Sequence, residues 1–438
     1  MSSNSVPKRS KLATLSWALW DWAEQPYPTL MQTFIFPVYL TSAVASGIKN
    51  ADEMLGWSTA IAGLLLAVIA PVLGRRSDET GRRKFWLLIN TGILVAVTAA
   101  SFFVQPKPEY FLFGLVLYGI GSVIQESAFI NYYAMLKGVT TEKNIGRVSG
   151  YAWGLGYVGG IVLLLIALVG FVLPENPLFG IGKENSINIR MIFLFAAGWI
   201  LIFTIPLLIW VPEIAKKTGA KKETILESYR GLFNQFRTLR RQAPETFKFL
   251  ISSAIYRDGL AGVFTFGAVL GTLAFGFDTT SIIFYGIGAN IVAAIGASIG
   301  GLLDDRFGSR AVILGSLVGL IGSAVAVFAL ASYGQITFWV FGLLLSLFVG
   351  PAQASSRTFV ARFTPHGREG EVFGLYQTTG RAISFLSGLM WALSIATANI
   401  ILGSDKNTIY GIWGIVLILI VGSFLLSRVH PKPAVLEN

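Results

Sequence analysis

Gly74-Arg75-Arg76-Ser77-Asp78-Glu79-Thr80-Gly81-Arg82-Arg83 returns later in the chain as Gly301-Leu302-Leu303-Asp304-Asp305-Arg306-Phe307-Gly308-Ser309-Arg310. Gly74 aligns with Gly301, Asp78 with Asp305, Gly81 with Gly308 and Arg83 with Arg310, all at an offset of 227. A second set, Gly146, Gly150 and Gly156 against Gly370, Gly374 and Gly380, repeats at an offset of 224. Two matching segments at nearly one spacing mark a duplication with parallel halves. Each copy of the polar decad follows a long apolar run, so the fold depends on what those runs are.

Of the 438 residues, 54% are hydrophobic and 13% charged, against about 25% charge in a soluble domain. The chain therefore lacks the polar surface to face water all round. About twelve stretches are long enough to cross roughly 30 Å of hydrocarbon: 13–45, 55–74, 85–104, 110–136, 148–173, 190–211, 247–274, 280–303, 311–332, 336–356, 371–397 and 409–427. The class is an all-α membrane protein of two pseudo-symmetric six-helix bundles. The domain reading is 1–211 for the first bundle, 212–246 for a basic cytoplasmic linker with an amphipathic helix, and 247–438 for the second. Lys8, Arg9 and Lys11 before an apolar run resemble a signal peptide, but Asp21, Glu24 and Gln25 interrupt that run, which reads as a retained first helix.

The net charge of +11 sorts by loop. With both termini cytoplasmic, 27 of the 34 Lys and Arg fall in cytoplasmic segments, five in outer loops, and Arg257 and Arg381 inside spans. That is the positive-inside pattern of an integral protein, here of a bacterial plasma membrane, and not a nucleic-acid patch. Without cysteine, and with only His366 and His430, the chain offers no disulfide, thiolate metal site or His-based centre. No metal, cofactor or catalytic residue is expected. Gly154-Leu155-Gly156-Tyr157-Val158-Gly159 has the form of a dinucleotide loop but no preceding strand. Its glycines suit close helix packing instead.

The Gly-x-x-x-Asp-x-x-Gly-x-Arg loops after spans two and eight resemble the signature loops of the major facilitator superfamily. A closer resemblance is to its vacuolar amino-acid effluxer-like branch. It rests on Trp20-Asp21-Trp22-Ala23 with Thr33 to Pro37, Gly150 to Gly160, Tyr256-Arg257-Asp258-Gly259, Gly350 to Arg357, Arg368 to Tyr376, and Gly380 to Phe385. The chain departs from that branch at Glu24-Gln25-Pro26. The resemblance implies a secondary transporter working by alternating access, with amino-acid efflux as the reference activity. It also implies that Asp78 and Asp305 gate the cytoplasmic side. Each would sit at the N-terminus of a helix in the other half, where the helix dipole favours an anion. Arg82, Arg83 and Arg310 would hold ion pairs, with Gly74, Gly81, Gly301, Arg306 and Gly308 completing the two gating loops.

Ionisable groups within a bilayer cost about 2.5–3.5 kcal/mol each and usually face a wet cavity or one another. Six stand out: Asp21, Glu24, Glu126, Arg257, Asp258 and Arg381. At a rise of 1.5 Å per residue, Asp21, Asp258 and Arg381 lie roughly 13, 17 and 15 Å into their spans, near midplane; Glu126 counts nearer the cytoplasmic side. Gln25, Tyr157, Gln353 and Gln377 add neutral hydrogen-bonding groups, and these ten residues are the candidate substrate site. Four acids outnumber two arginines. For a zwitterion, Arg381 suits the carboxylate, and Asp21 or Asp258 the amine. With no histidine in a span, a proton would need a carboxylate carrier. Glu24 is first, ahead of Asp21, Glu126 and Asp258, because it stands one turn from Asp21 beside backbone that Pro26 and Pro28 disrupt. The expected partners are the lipid bilayer, a small-molecule substrate and protons, with the chain a monomer. A lipid flippase is the alternative function, and a non-transporting receptor or scaffold fits least.

Overall fold

The computed structural model describes residues 10–48, 51–175, 177–213, 237, 239–241, 243–277, 279–364, 367–403 and 407–430. The amphipathic helix expected within 212–246 and His366 lie largely or wholly outside them. The first half comprises α1 (Lys11–Glu24), α2 (Ala51–Thr80), α3 (Arg83–Ala100), α4 (Phe111–Ala134), α5 (Ile145–Ala167) and α6 (Ile187–Trp210). The second comprises α7 (Pro244–Leu273), α8 (Thr279–Phe307), α9 (Ser309–Ala329), α10 (Leu343–Phe363), α11 (Glu369–Ala382), α12 (Leu386–Leu402) and α13 (Gly411–Ser427).

Among the described residues, ten helical stretches are long and apolar enough to cross a membrane. Spans one and seven are the two that carry Asp21 with Glu24 and Arg257 with Asp258, and they complete the twelve. Their surroundings invert those of a soluble protein. Leu64 and Ile400 are 70% and 83% exposed while Asp21, Glu24 and Arg357 are buried, as expected when lipid is the solvent.

Span one is not a single α-helix. Ser10 caps α1 by accepting from the Leu12 N–H at 3.2 Å. After Glu24 the chain continues through wide π turns at Tyr27–Phe34 and Leu40–Val44, with one short α stretch, Phe36–Tyr39, between. Pro26, Pro28 and Pro37 remove donors there; the Trp22 carbonyl, one turn before Pro26, accepts from Trp199 Nε1 at 3.2 Å instead, and hydroxyls add bonds to other carbonyls along the run. Thr33 Oγ1 donates to the Pro28 oxygen at 2.7 Å and Thr41 Oγ1 to that of Pro37 at 2.9 Å, which meets the demand for internal satisfaction in hydrocarbon. Span eleven also differs from the continuous helix expected over 371–397. It stops at Ala382, turns through Ile383–Phe385, and restarts as α12.

The halves meet where α2 packs on α11 and α5 on α8. A Cβ on Gly74 would collide with the Gly370 carbonyl, and one on Gly150 with the Ala297 carbonyl. The eighth residue of each decad is a glycine at positive φ, +63° for Gly81 and +82° for Gly308, a region open to glycine at little cost. The glycines of α5 serve two neighbours: Gly150 and Gly154 admit α8, while Gly156, Gly159 and Gly160 admit Trp22, Gln25 and Thr29 of span one. This is the packing role expected for the Gly154–Gly159 series.

Candidate functional site

The ionisable residues of the spans and of the repeated decads fall into four groups, with Asp258 apart from them. The first centres on Arg357. The tenth span, expected to end at 356 and so to leave Arg357 in a cytoplasmic loop, is corrected here, because α10 runs on to Phe363 and buries Arg357 completely. Ala354-Ser355-Ser356 before it and Phe359-Val360-Ala361 after it are compact or apolar enough to continue a helix. Arg357 belongs to the second half, yet its partners lie in the first. Its Nη1 donates to Asp21 Oδ2 at 2.9 Å, Nε to Ser149 Oγ at 2.9 Å and Nη2 to the Ser149 carbonyl at 2.7 Å. Trp17, Tyr133, Trp153 and Tyr132 hold its guanidinium at 4.9, 5.2, 5.6 and 5.7 Å from their ring centres. A planar cation suits this cage, pairing a carboxylate at its edge and stacking on aromatic faces. Asp21 is therefore neutralised within the protein.

Glu24, three residues on, has a different environment. Its Oε1 accepts from Gln25 Nε2 and its Oε2 from Gln125 Nε2, both at 2.8 Å. It is buried and has no cationic partner among the described residues. Gln25 also accepts from Thr29 Oγ1 at 3.3 Å, and the gaps at Gly156 and Gly160 make room for it. Gln125 belongs to this site although the sequence alone does not single it out.

The third group spans the two halves in one line. Arg381 of α11 pairs with Glu126 of α4, and Gln377 Nε2 donates to the other Glu126 oxygen at 2.6 Å. Glu126 is thus level with Arg381, and not nearer one membrane face as counting along its span suggests. The pair is partly open, at 31% side-chain exposure for Arg381 and 18% for Glu126. Arg257 pairs with no acid among the described residues. It donates to the Tyr376 carbonyl at 3.1 Å and to Gln377 Oε1 at 3.0 Å, with its guanidinium 3.8 Å over the Tyr376 ring. Tyr157 and Gln353 form another link between the halves, hydroxyl to Oε1 at 3.0 Å.

Asp258 points elsewhere. Its oxygens accept from the Ser387 N–H at 2.5 Å and Ser387 Oγ at 3.2 Å, so it caps α12. The expected excess of acids shrinks accordingly: Asp21 and Glu126 hold arginines, Asp258 holds a helix end, and Glu24 remains.

The repeated decads form the fourth group at one end of the molecule. Asp78 accepts from the Gly370 and Glu371 N–H groups at 2.9 and 2.8 Å, at the start of α11. Asp305 accepts from Gly146 and Arg147 at 2.7 and 3.0 Å, at the start of α5. Each carboxylate thus sits on a helix N-terminus of the other half. Arg83 links Asp78 at 2.5 Å to Glu369 at 2.7 Å.

The second decad is built differently. Arg310 donates to the Ser427 carbonyl at 2.7 Å, and the ion-pair role expected of it falls to Arg362, which reaches Asp304 and, at 3.4 Å, Asp305. Arg82 is exposed and Arg306 lies 5.2 Å over the Phe307 ring. Between the spans, Lys137 donates to the Thr364 carbonyl at 2.7 Å, and burial pulls its ammonium below the usual lysine range against the opposing pull of Glu369. The hydrogen bond to Glu371 holds the Arg368 guanidinium above its usual range.

Comparison with known proteins follows this geometry. The family described as "Vacuole effluxer Atg22 like" matches residues 54–432. An uncharacterized MFS-type transporter of Bacillus subtilis, YxiO, is 28% identical over 421 residues, covering 94% of each chain. Autophagy-related protein 22-1 of Penicillium rubens is 22% identical over 54% of this chain and 42% of its own length. Among solved structures, the proton:xylose symporter XylE has a TM-score of 0.69 at 14% identity, covering 96% of this chain and 94% of that one. The human organic anion transporter MFSD10 reaches 0.68 at 15% identity, over 95% and 98%; both likenesses show the fold. The chain belongs to the Atg22-like family and is a multi-pass membrane transporter of the major facilitator fold, not an enzyme.

Proposed function

We propose that the chain exports amino acids or closely related zwitterions across the bacterial plasma membrane as a monomeric proton-coupled secondary transporter. One observation carries this reading: Arg381 and Glu126, of opposite sign and from opposite halves, face each other in a partly open pair, beside a buried Glu24 that no cation among the described residues neutralises. A zwitterion could exchange into such a pair, its carboxylate replacing Glu126 on Arg381 and its amine replacing Arg381 on Glu126. Asp21 and Asp258, engaged by Arg357 and Ser387, are set aside as amine ligands. Glu24 is the carrier of choice, since an acid held by two amide donors in low dielectric can load a proton without first losing a salt bridge. The positive-inside bias of the loop charges supports a cytoplasmic location for both termini and the Asp78 and Asp305 end, and the proposed division of the halves is 1–211, 212–246 and 247–438.

In proteoliposomes, uptake of a labelled amino-acid mixture should follow an imposed pH gradient. Glu24→Gln should abolish that response while substrate exchange persists. A variant still fully driven by pH would remove Glu24 from the coupling, and a parent that ignores pH but follows sodium would overturn proton coupling. Arg381→Lys should retain part of the binding because charge survives without the bidentate fork. Arg381→Gln should lose roughly tenfold or more in affinity, the factor given by 1.4 kcal/mol, and unchanged affinity would exclude it from the site.

A flippase reading has one supporting feature. A groove of about 510 Å³ between α2 and α4, lined by Trp57, Ile61, Leu65, Val116, Ile120 and Val123 among others, ends one turn from Glu126. Flipping of labelled lipid by the same proteoliposomes, in place of amino-acid movement, would favour it.

A further inference from the structure

Arg257 and Asp258 are neighbours on α7, yet they grip opposite sides of the interruption in span eleven. Arg257 holds the end of α11 through the Tyr376 carbonyl, Gln377 Oε1 and the Tyr376 ring. Gly380 leaves space for it, since a Cβ there would stand 3.2 Å from Nη1. Asp258 holds the start of α12 through both donors of Ser387. Between these anchors lie Arg381 and the turn Ile383–Phe385. Further along α7, Gly262 abuts Ser387 and Phe266 stacks on Trp391 at 4.5 Å, so α12 follows α7 past the turn.

A helix that restarts inside a span bares first-turn N–H groups that lipid cannot satisfy. A carboxylate on a neighbouring helix removes that cost only while the two helices keep one relative placement. The guanidinium imposes the same condition on the other side. We propose that Arg257 and Asp258 are positioning residues, a two-sided brace that sets the bend of span eleven and so the place of Arg381 opposite Glu126. The functional consequence rests on the reading of Arg381 as substrate-facing; the brace itself does not.

The chain has no cysteine, so spin labels can be placed at will on the full-length protein. Labels at exposed Ile400 on α12 and exposed Phe424 on α13 report the bend by pulsed electron–electron resonance. Asp258→Ala should broaden or shift that distance and weaken binding of the labelled amino-acid mixture by roughly tenfold. Asp258→Asn, whose amide oxygen still accepts from Ser387, should restore both. Should the alanine variant fail to fold, Ser387→Pro serves instead. Proline is tolerated in a first helical turn but removes both donors, and the same shift is expected. Arg381→Gln should leave the distance unchanged. An unaltered distance distribution in folded Asp258→Ala and Ser387→Pro overturns the brace. A shifted distance with normal amino-acid binding in Arg381→Gln leaves the brace standing and refutes the substrate reading.

Discussion

Arg357→Ala is expected to do more damage than any other single substitution in the spans. It strands Asp21 as a buried charge and leaves Ser149 without its donors. Removing one partner of a buried pair costs about 3–5 kcal/mol, and a void opens among four aromatic rings. The purified variant should unfold at a clearly lower temperature in detergent and should not transport. Arg357→Lys should recover part of the stability, since one ammonium can meet Asp21 but cannot present three donors in a plane.

A double replacement separates folding from the transport cycle. Asp21→Leu with Arg357→Met removes both charges, and well-packed apolar substitutes for a buried pair are often neutral or stabilising. Recovered stability without recovered flux would show that the pair is made and broken during transport, as its position between the halves suggests. An Arg357→Ala protein that melts and transports like the parent would refute both points.

Asp78→Asn combined with Asp305→Asn is the second large effect. Each carboxylate accepts two N–H groups at a helix N-terminus of the other half. Each should lose about 0.3–1 kcal/mol of helix-dipole stabilisation, and up to about 2 when partly buried. Asp78 also loses its ion pair with Arg83, and Asp305 its pair with Arg362. The two sites share no partner, so their costs should add. The double variant should fold, lose transport, and hold this end open. Ser355, buried behind the second decad, makes a sensitive reporter: Ser355→Cys should react several-fold faster with a membrane-impermeant maleimide in the double variant. Unchanged labelling with unchanged flux would sink the gating role.

What the sequence discloses follows from what repeats. Asp78 and Asp305 are legible because each is fixed by glycines at one spacing, and their seats on opposing helix ends follow from the duplication. Arg310 is not legible in the same way. It matches Arg83 in the alignment, but its work passes to Arg362, from another helix. Arg357 escapes because charge count alone puts it in a loop, although the small residues before it and the apolar ones after it continue the helix. Asp258 lies at the depth expected of a ligand, but depth does not give direction, and only the turn in span eleven shows why an acid is needed there. Glu24 stands out by the same arithmetic as the other acids, yet its distinction, two amides and no cation, depends on Gln125 from a helix a hundred residues away.

The crossed seating of Asp78 and Asp305 has a consequence for how the polypeptide is put together. Each half supplies an anion to the other and receives one in return, so neither half is chemically complete by itself, and the exchange is reciprocal. The covalent tether between them then carries little of the information for docking. Two separately made fragments, divided within 214–236, would already hold matched plugs and sockets.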